Sequence, residues 1–320
     1  MEEKQDGQVL VGTSYRLVRR IGEGSTSDVY EAIGPRGEVR AVKLLRPERA
    51  RSGDARARLR LEARALAALD HPHVVRIENS GVTADGRHFL VMPLLPGETL
   101  RARLDARGPL PAGVAGELAG QMLSALSAAH RAGIVHRDVK PANVFLARNA
   151  VRSAALGRSR CERWTSAHPS DLGRVVLLDF GIAKVTWGGA LTTGDHVVGT
   201  PRYLAPEQIL GGRIDARTDI YSLGLVLFEA IAGRSPFPDP DPIALMRAHL
   251  RTIPPRLRAV AGASPALDEV VARAIEKAPG LRWQTANEMA EALAAARLGV
   301  LPELGSVRRA ARRLARAGAR

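Results

Sequence analysis

Between residues 15 and 45, apolar and polar positions alternate in three short runs, YRLVRRIG, SDVYEAIG and EVRAVKLL, with glycine turns between them. That pattern predicts strands. From Asp54 to Leu69 the period changes, and Glu62, Leu66 and Leu69 fall at i, i+4 and i+7, one face of a helix. HPHVV ends it, because Pro72 disfavours helical backbone at His71. RHFLVMPLL then reads as a further apolar strand. Up to about Met92 the chain is expected to form a small sheet carrying one helix.

Beyond it, helical patterns dominate. AGVAGELAGQMLSALSAAHRAG predicts a long Ala/Leu helix stopped by Gly133. TDIYSLGLVLFEAIAG is apolar nearly all round from Ile220 to Ile231, as a helix inside a core requires. PALDEVVARAIEK and TANEMAEALAAARLG are amphipathic. NVFL and RVVLLDFG are expected to pair as a hairpin, although about 27 residues, Ala147 to Gly173, separate them where two to five are usual. That segment is rich in Arg, Ser and Ala and is expected to be a surface insertion. A small β-rich lobe followed by a larger helical lobe predicts a cleft as the ligand site.

Composition narrows the classes. With 320 residues, 45% of them hydrophobic, the chain can bury one large core or two modest ones. Aromatics make up only 4%, so Leu, Val, Ile and Ala must build the interior. The single cysteine, Cys161, excludes an intramolecular disulfide and suits a reducing compartment. The polar start MEEKQDGQV lacks the pattern of a secretion signal, and no uncharged apolar run is long enough for a membrane span. A cytoplasmic location is the expectation. Net charge is +14, which favours anionic partners, although an Arg-rich, Ala-rich chain that uses Arg as its default solvating residue gives the same number.

Three features carry chemistry. IGEGSTSDVY holds Gly22 and Gly24, with Ser27 where a third glycine would complete G-x-G-x-x-G. Strand residues follow it, so no helix N-terminus is on offer. The loop is either an ordinary hairpin turn or one whose backbone N–H groups approach phosphate oxygens. Lys43 lies in an alternating apolar strand, where an ammonium is costly without an anion. Ligand phosphates and Glu62, on the inward face of the following helix, are the two anions on offer. IVHRDVKPANVFL, residues 134–146, sets His, Arg, Asp, Lys and Asn between two apolar runs.

Taken in order, Gly22-x-Gly24, AVK with Lys43, Glu62, HRDVKPAN, DFG at 179–181 and GTPRYLAPE at 199–207 resemble the protein-kinase signature set. The likeness runs from about residue 15 to 297. It is most similar to bacterial members of the Ser/Thr kinase family. It implies an α+β, bilobal protein-kinase fold: a leader at 1–14, a β-rich N-lobe with one main helix at 15–92, a mainly helical C-lobe at 93–299 with the insertion at about 147–173, and an Arg-rich tail at 300–320.

The same resemblance implies roles. Asp138 is the catalytic base, Lys140 sits beside the transferred phosphoryl group, and Lys43 holds the ATP phosphates. Asn143 and Asp179 hold Mg²⁺, with Mn²⁺ as the alternative ion. Ile21, Gly22, Gly24, Val29, Ala41, Met92, Pro93 and Leu95 line the nucleotide pocket, and adenine is gripped by the carbonyl of Pro93 and the N–H of Leu95. Phe180 packs beneath the helix bearing Glu62. His136 resembles the family's packing histidine, and His71 and His73 belong to a loop rather than to a metal site. Thr200 faces the substrate groove. Arg137 precedes the catalytic Asp, as in members switched on by activation-loop phosphorylation, for which Thr192 and Thr193 are the candidate acceptors. Asp219 and Arg282, the latter paired with Glu207, read as scaffolding.

The expected partners are proteins with Ser or Thr acceptors and a second copy of the chain for trans-autophosphorylation. The tail SVRRAARRLARAGAR holds six Arg and no acid. A solvated frayed helix, contact with an anionic membrane, and a docking or nucleic-acid contact all remain open for it, although nucleic acid is not an expected partner of the whole. A pseudokinase scaffold is the alternative reading; it should lack Lys43, Asp138 or Asp179, and all three are present.

Overall fold

A computed structural model describes residues 9–10, 12–24, 26–50, 53–67, 69–148, 172–180, 192–193, 196–197 and 201–300. The chain forms two compact units: 1–100 with 128–137 and 142–188, and 101–127 with 138–141 and 189–320.

In the first unit, β1 (Arg16–Glu23), β2 (Ser27–Ile33) and β3 (Val39–Leu45) realise the three alternating runs. The short helix α1 (Pro47–Ala50) and α2 (Gly53–Ala67) follow, then β4 (Asn79–Val82) and β5 (His88–Pro93). The five strands form one antiparallel sheet in the order β1-β2-β3-β5-β4. Because side chains alternate across a strand, Val42 and Leu44 enter one face. There they join Leu10, Leu17, Ala32, Phe89 and Val91 in a buried cluster edged by Tyr15 and Tyr30. Each Leu, Val and Phe of the cluster contributes roughly 1.5–3 kcal/mol relative to exposure. Ala41, Lys43 and Leu45 are left to the opposite face.

A second sheet of three strands, in the order β6-β7-β8, joins β6 (Gly97–Thr99), β7 (Val144–Ala147) and β8 (Arg174–Leu177). The hairpin pairs Val144 with Leu177 and Ala147 with Arg174, as its two apolar runs predict. Arg148 N–H donates to the Pro96 carbonyl at 2.8 Å. Most of the expected insertion, 149–171, lies outside the described residues. The compact units are not divided at residue 93. This hairpin belongs with the large sheet's unit because the loop after α2 bonds to it: Val75 N–H donates to Leu177 O at 3.1 Å and Leu177 N–H to His73 O at 2.9 Å.

The second unit is helical apart from the short pair β9 (Thr192–Thr193) and β10 (His196–Val197). Its helices are α3 (Leu100–Arg107), α4 (Ala112–Arg131), α5 (Pro206–Ile209), α6 (Ala216–Ala232), α7 (Pro242–Arg251), α8 (Leu257–Ala261), α9 (Pro265–Ala274) and α10 (Ala286–Arg297), with Leu100 and the end of α4 from Ala128 counted in the first unit. Helix α6 is buried without interruption from Thr218 to Ile231. Its backbone comes close to α9 at Gly224, where a Cβ would lie 2.8 Å from Ala274 Cβ and 2.7 Å from Ile275 Cγ2. The side chains of Asp215, Asp241, Ser264 and Thr285 cap α6, α7, α9 and α10, each contributing about 1 kcal/mol. Among the described residues no helix is long and apolar enough to cross a membrane.

Candidate functional site

The site in the first unit starts from Lys43. Its neighbours across the sheet are Val29 on β2 and Leu90 on β5, and two residues earlier Ala41 faces Met92. Directly opposed residues share a face, so Val29, Ala41, Lys43, Leu90 and Met92 form an apolar floor carrying one ammonium. Ala41 and Met92 are buried, Val29 and Pro93 half-buried, and Ile21 is exposed. Leu95 lies just past the end of β5 and is half-buried.

The glycines sit where β1 turns into β2. Gly22 is opposite Val29, after a register shift that follows Arg20. A Cβ on Gly24 would lie 2.7 Å from the Ser27 carbonyl oxygen, closer than a side chain tolerates. The glycine is therefore required by the turn itself. Ser27 is the first residue of β2 and is buried, so its hydroxyl is part of the sheet's packing rather than of an open loop.

The anion that meets Lys43 is Asp179. Lys43 Nζ lies 2.9 Å from Asp179 Oδ1, with the lysine side chain 11% and the carboxylate 46% exposed. Of the two anions expected from the sequence, Glu62 has its side chain outside the described residues. The hairpin delivers Asp179 here. Leu178 N–H donates to the Asn143 carbonyl at 2.9 Å, one step past the Val144–Leu177 pair, so Asn143 and Asp179 follow from a single strand register.

Asp179 has φ +46°, the left-handed region in which Asp is among the few tolerated residues besides glycine. Its neighbours hold it there. His136, fully buried, contacts the Leu178 carbonyl through Nε2 at 3.1 Å, which makes Nε2 the protonated nitrogen. The same ring packs 4.4 Å from the ring of buried Phe180. With 178 tied by hydrogen bonds and 180 by packing, the carboxylate between them is presented outward. His136 is thus a packing residue, as its motif implies. His71 Nδ1 accepts from His73 N–H at 3.2 Å, and His73 Nδ1 donates to Val175 O at 2.8 Å. The two imidazoles serve the loop, and among the described residues no group of three or more His, Cys, Asp and Glu is gathered around a common point.

In the second unit, Asp138 and Lys140 pair at 2.9 Å. Arg137, immediately before, has φ +66°. Backbone strain at two successive motifs marks a turn that the surrounding structure over-determines. Thr192 and Thr193 pair with Val197 and His196 in the β9–β10 hairpin; their side chains, and the whole of Thr200, lie outside the described residues, as do the leader up to residue 8 and the tail from 301. Asp219 is fully buried on α6. Arg282 reaches Glu207 with both terminal nitrogens, at 2.7 and 2.8 Å, as its motif implies.

Two groups escaped the sequence reading. Arg46 contacts Glu23 and Asp28 around the glycine turn, and Glu229, 5% exposed on α6, receives Arg101 at 2.8 Å and the Tyr203 hydroxyl. Both join charges far apart in the chain that no local pattern couples.

Residues 15–293 match the protein kinase domain model. The serine/threonine-protein kinase PknB of Mycolicibacterium smegmatis is 36% identical over 301 residues, covering 92% of this chain and 44% of the relative. PknL of Mycobacterium tuberculosis, named a serine/threonine-protein kinase, is 36% identical over 284 residues, 88% of this chain and 65% of its own. The chain thus spans less than two thirds of the length of these curated relatives. Among solved structures, the PknI kinase domain of Mycobacterium tuberculosis superposes with a TM-score of 0.67 at 28% identity, covering 92% of this chain and 99% of that one.

Proposed function

Because this chain belongs to the protein kinase domain family, we propose that it transfers the γ-phosphoryl group of ATP to a serine or threonine hydroxyl of a protein. The observation that carries this reading is the Lys43–Asp179 pair at 2.9 Å, a cation on an apolar strand face meeting an outward-held carboxylate. An apolar surface bearing one ammonium suits an adenine with its phosphates. Val29, Ala41 and Met92 take the base, while Lys43 and the backbone at Gly22 and Gly24 take the phosphates.

Asp179 and Asn143 fit a hard divalent cation: both offer oxygen, and one carboxylate with one amide is the sparse protein set that Mg²⁺ uses beside substrate phosphates. Mn²⁺ takes the same ligands. When bound, such an ion neutralises charge on the phosphates. Asp138 accepts the acceptor hydroxyl's proton as its oxygen attacks the γ-phosphorus and the bond to the leaving diphosphate breaks. Lys140, paired with that carboxylate at 2.9 Å, supplies positive charge to the moving phosphoryl group.

Transfer of labelled phosphate from ATP to a generic basic protein tests the assignment. The wild-type chain is expected to label it and Asp138→Asn to fail; equal labelling by both overturns Asp138 as the base. The same reaction addresses regulation. Thr192 or Thr193 is the acceptor of self-phosphorylation, with Arg137 as the cation that receives the phosphate. A mass spectrum of active enzyme in which the 184–202 peptide is unmodified overturns this.

A further inference from the structure

Arg46, one residue past β3, converges on the turn between β1 and β2. Its backbone N–H donates to the Thr26 carbonyl at 3.0 Å. Its guanidinium donates to Asp28 Oδ1 from Nε at 3.1 Å and from Nη2 at 2.9 Å, and to Glu23 Oε1 from Nη2 at 2.6 Å. Glu23 ends β1, between the two glycines, and Asp28 is the second residue of β2. One side chain therefore ties both arms of the glycine turn to the strand that carries Lys43.

The turn needs such a tie. Glu23, Gly24 and Thr26 are exposed to water. An untethered tip must be ordered when a ligand arrives, and that ordering cost is subtracted from affinity. Glu23 poses a second problem, since a carboxylate beside Gly22 and Gly24 repels phosphate. The Arg46 guanidinium, with Arg20 3.6 Å away as a second cation, offsets that charge and holds the Glu23 carboxyl below its usual range. Asp28 is the firmer anchor, because its side chain is only 13% exposed and its contacts are less screened by water.

We infer that Arg46 is a positioning residue for the nucleotide: it holds the Gly22–Gly24 backbone in register above Lys43 and cancels the charge of Glu23. This rests on the reading of the site as one for ATP. Arg46 touches no reacting atom, so its loss acts on nucleotide binding rather than on the chemical step.

The test is steady-state phosphoryl transfer by the full chain, with KM for ATP and kcat measured separately, beside calorimetric binding of a non-hydrolysable ATP analogue. Arg46→Ala is expected to raise KM about fivefold, the scale of one partly exposed ion pair, with kcat within about twofold. Glu23→Gln in that background is expected to recover about half of the loss, and Arg46→Lys to fall between wild type and Arg46→Ala. An Arg46→Ala enzyme with unchanged KM overturns the inference, and so does a fall in kcat with KM unmoved. Should Arg46→Ala fail to fold, Arg46→Lys and Glu23→Gln decide: unchanged KM in both overturns it. A wild-type chain that binds no analogue defeats the ATP reading itself, a result distinct from active variants that ignore Arg46.

Discussion

Arg282 and Glu207, 75 positions apart, meet as a two-pronged ion pair at 2.7 and 2.8 Å, with the guanidinium wholly buried. Arg282 also donates to the carbonyls of Glu276, Lys277 and Arg217, at 2.8, 2.9 and 2.9 Å, and Thr218 donates to Glu207 at 2.7 Å. Arg282→Met leaves a buried carboxylate without its cation and is expected to lower unfolding free energy by about 3–5 kcal/mol in urea titrations. Arg282→Lys keeps the charge but cannot serve five acceptors. A lysine variant as stable as wild type would show that the carbonyl contacts count for little.

Gly224 on α6 faces Ala274 and Ile275 with no room for a methyl group. Gly224→Ala forces α6 and α9 apart and is expected to cost about 1–3 kcal/mol despite its better helix propensity. Gly113, with nothing within 4 Å of an added Cβ, is the control. Its alanine variant is expected to match or exceed wild-type stability in the same titration.

Lys43 and Asp179 neutralise one another on an otherwise apolar face. Lys43→Met and Asp179→Asn are each expected to reduce phosphoryl transfer by at least about 100-fold, the scale of losing a preorganised charge. Circular dichroism should find both folded. Transfer at more than a tenth of the wild-type rate by either variant contradicts the assigned roles.

Buried His249 and half-buried Lys277 both contribute to the pH dependence of stability. Burial, then the nearby Lys277, lowers His249 from 6.5 to about 4, and burial, then Arg282, lowers Lys277 from 10.5 to about 8. In each case the unfolded chain binds the proton more readily, so stability rises with pH between the two values. The urea midpoint is expected to climb from pH 4 to 6.5 and again from pH 8 to 10.5. Lys277→Met should flatten the upper step and, by relieving His249 of a neighbouring charge, shrink the lower one slightly; an unchanged upper step rules Lys277 out as its source.

Much of this could be read from the chain, for identifiable reasons. The runs around Lys43 alternate cleanly because one sheet face packs on a core, and α6 shows no polar stripe because it has no exposed side. β4 was not expected: Asn79–Val82 is an edge strand, mostly exposed, so no apolar period marks it. α7 was also missed, although Asp241 followed by Pro242 is a helix-start signal that a search for caps finds. The kinase motifs named Lys43, Asp138, Asn143 and Asp179 individually. What they did not supply was the partner of each: Lys43 with Asp179, and Arg46 with Glu23 and Asp28, are pairings made by folding.

The hairpin of β7 and β8 has a practical consequence. Ala147 and Arg174 are direct partners across the ladder, so the two ends of the intervening segment are held side by side. A segment spliced there meets ends already held together, and lengthening it adds only a slowly growing entropic cost, about 0.6 kcal/mol per doubling. The Val144–Leu177 rung still fixes Asn143 and Asp179 whatever lies beyond the far end. The position is therefore a natural port for a fluorescent or affinity module, carried with the Asn143–Asp179 register intact.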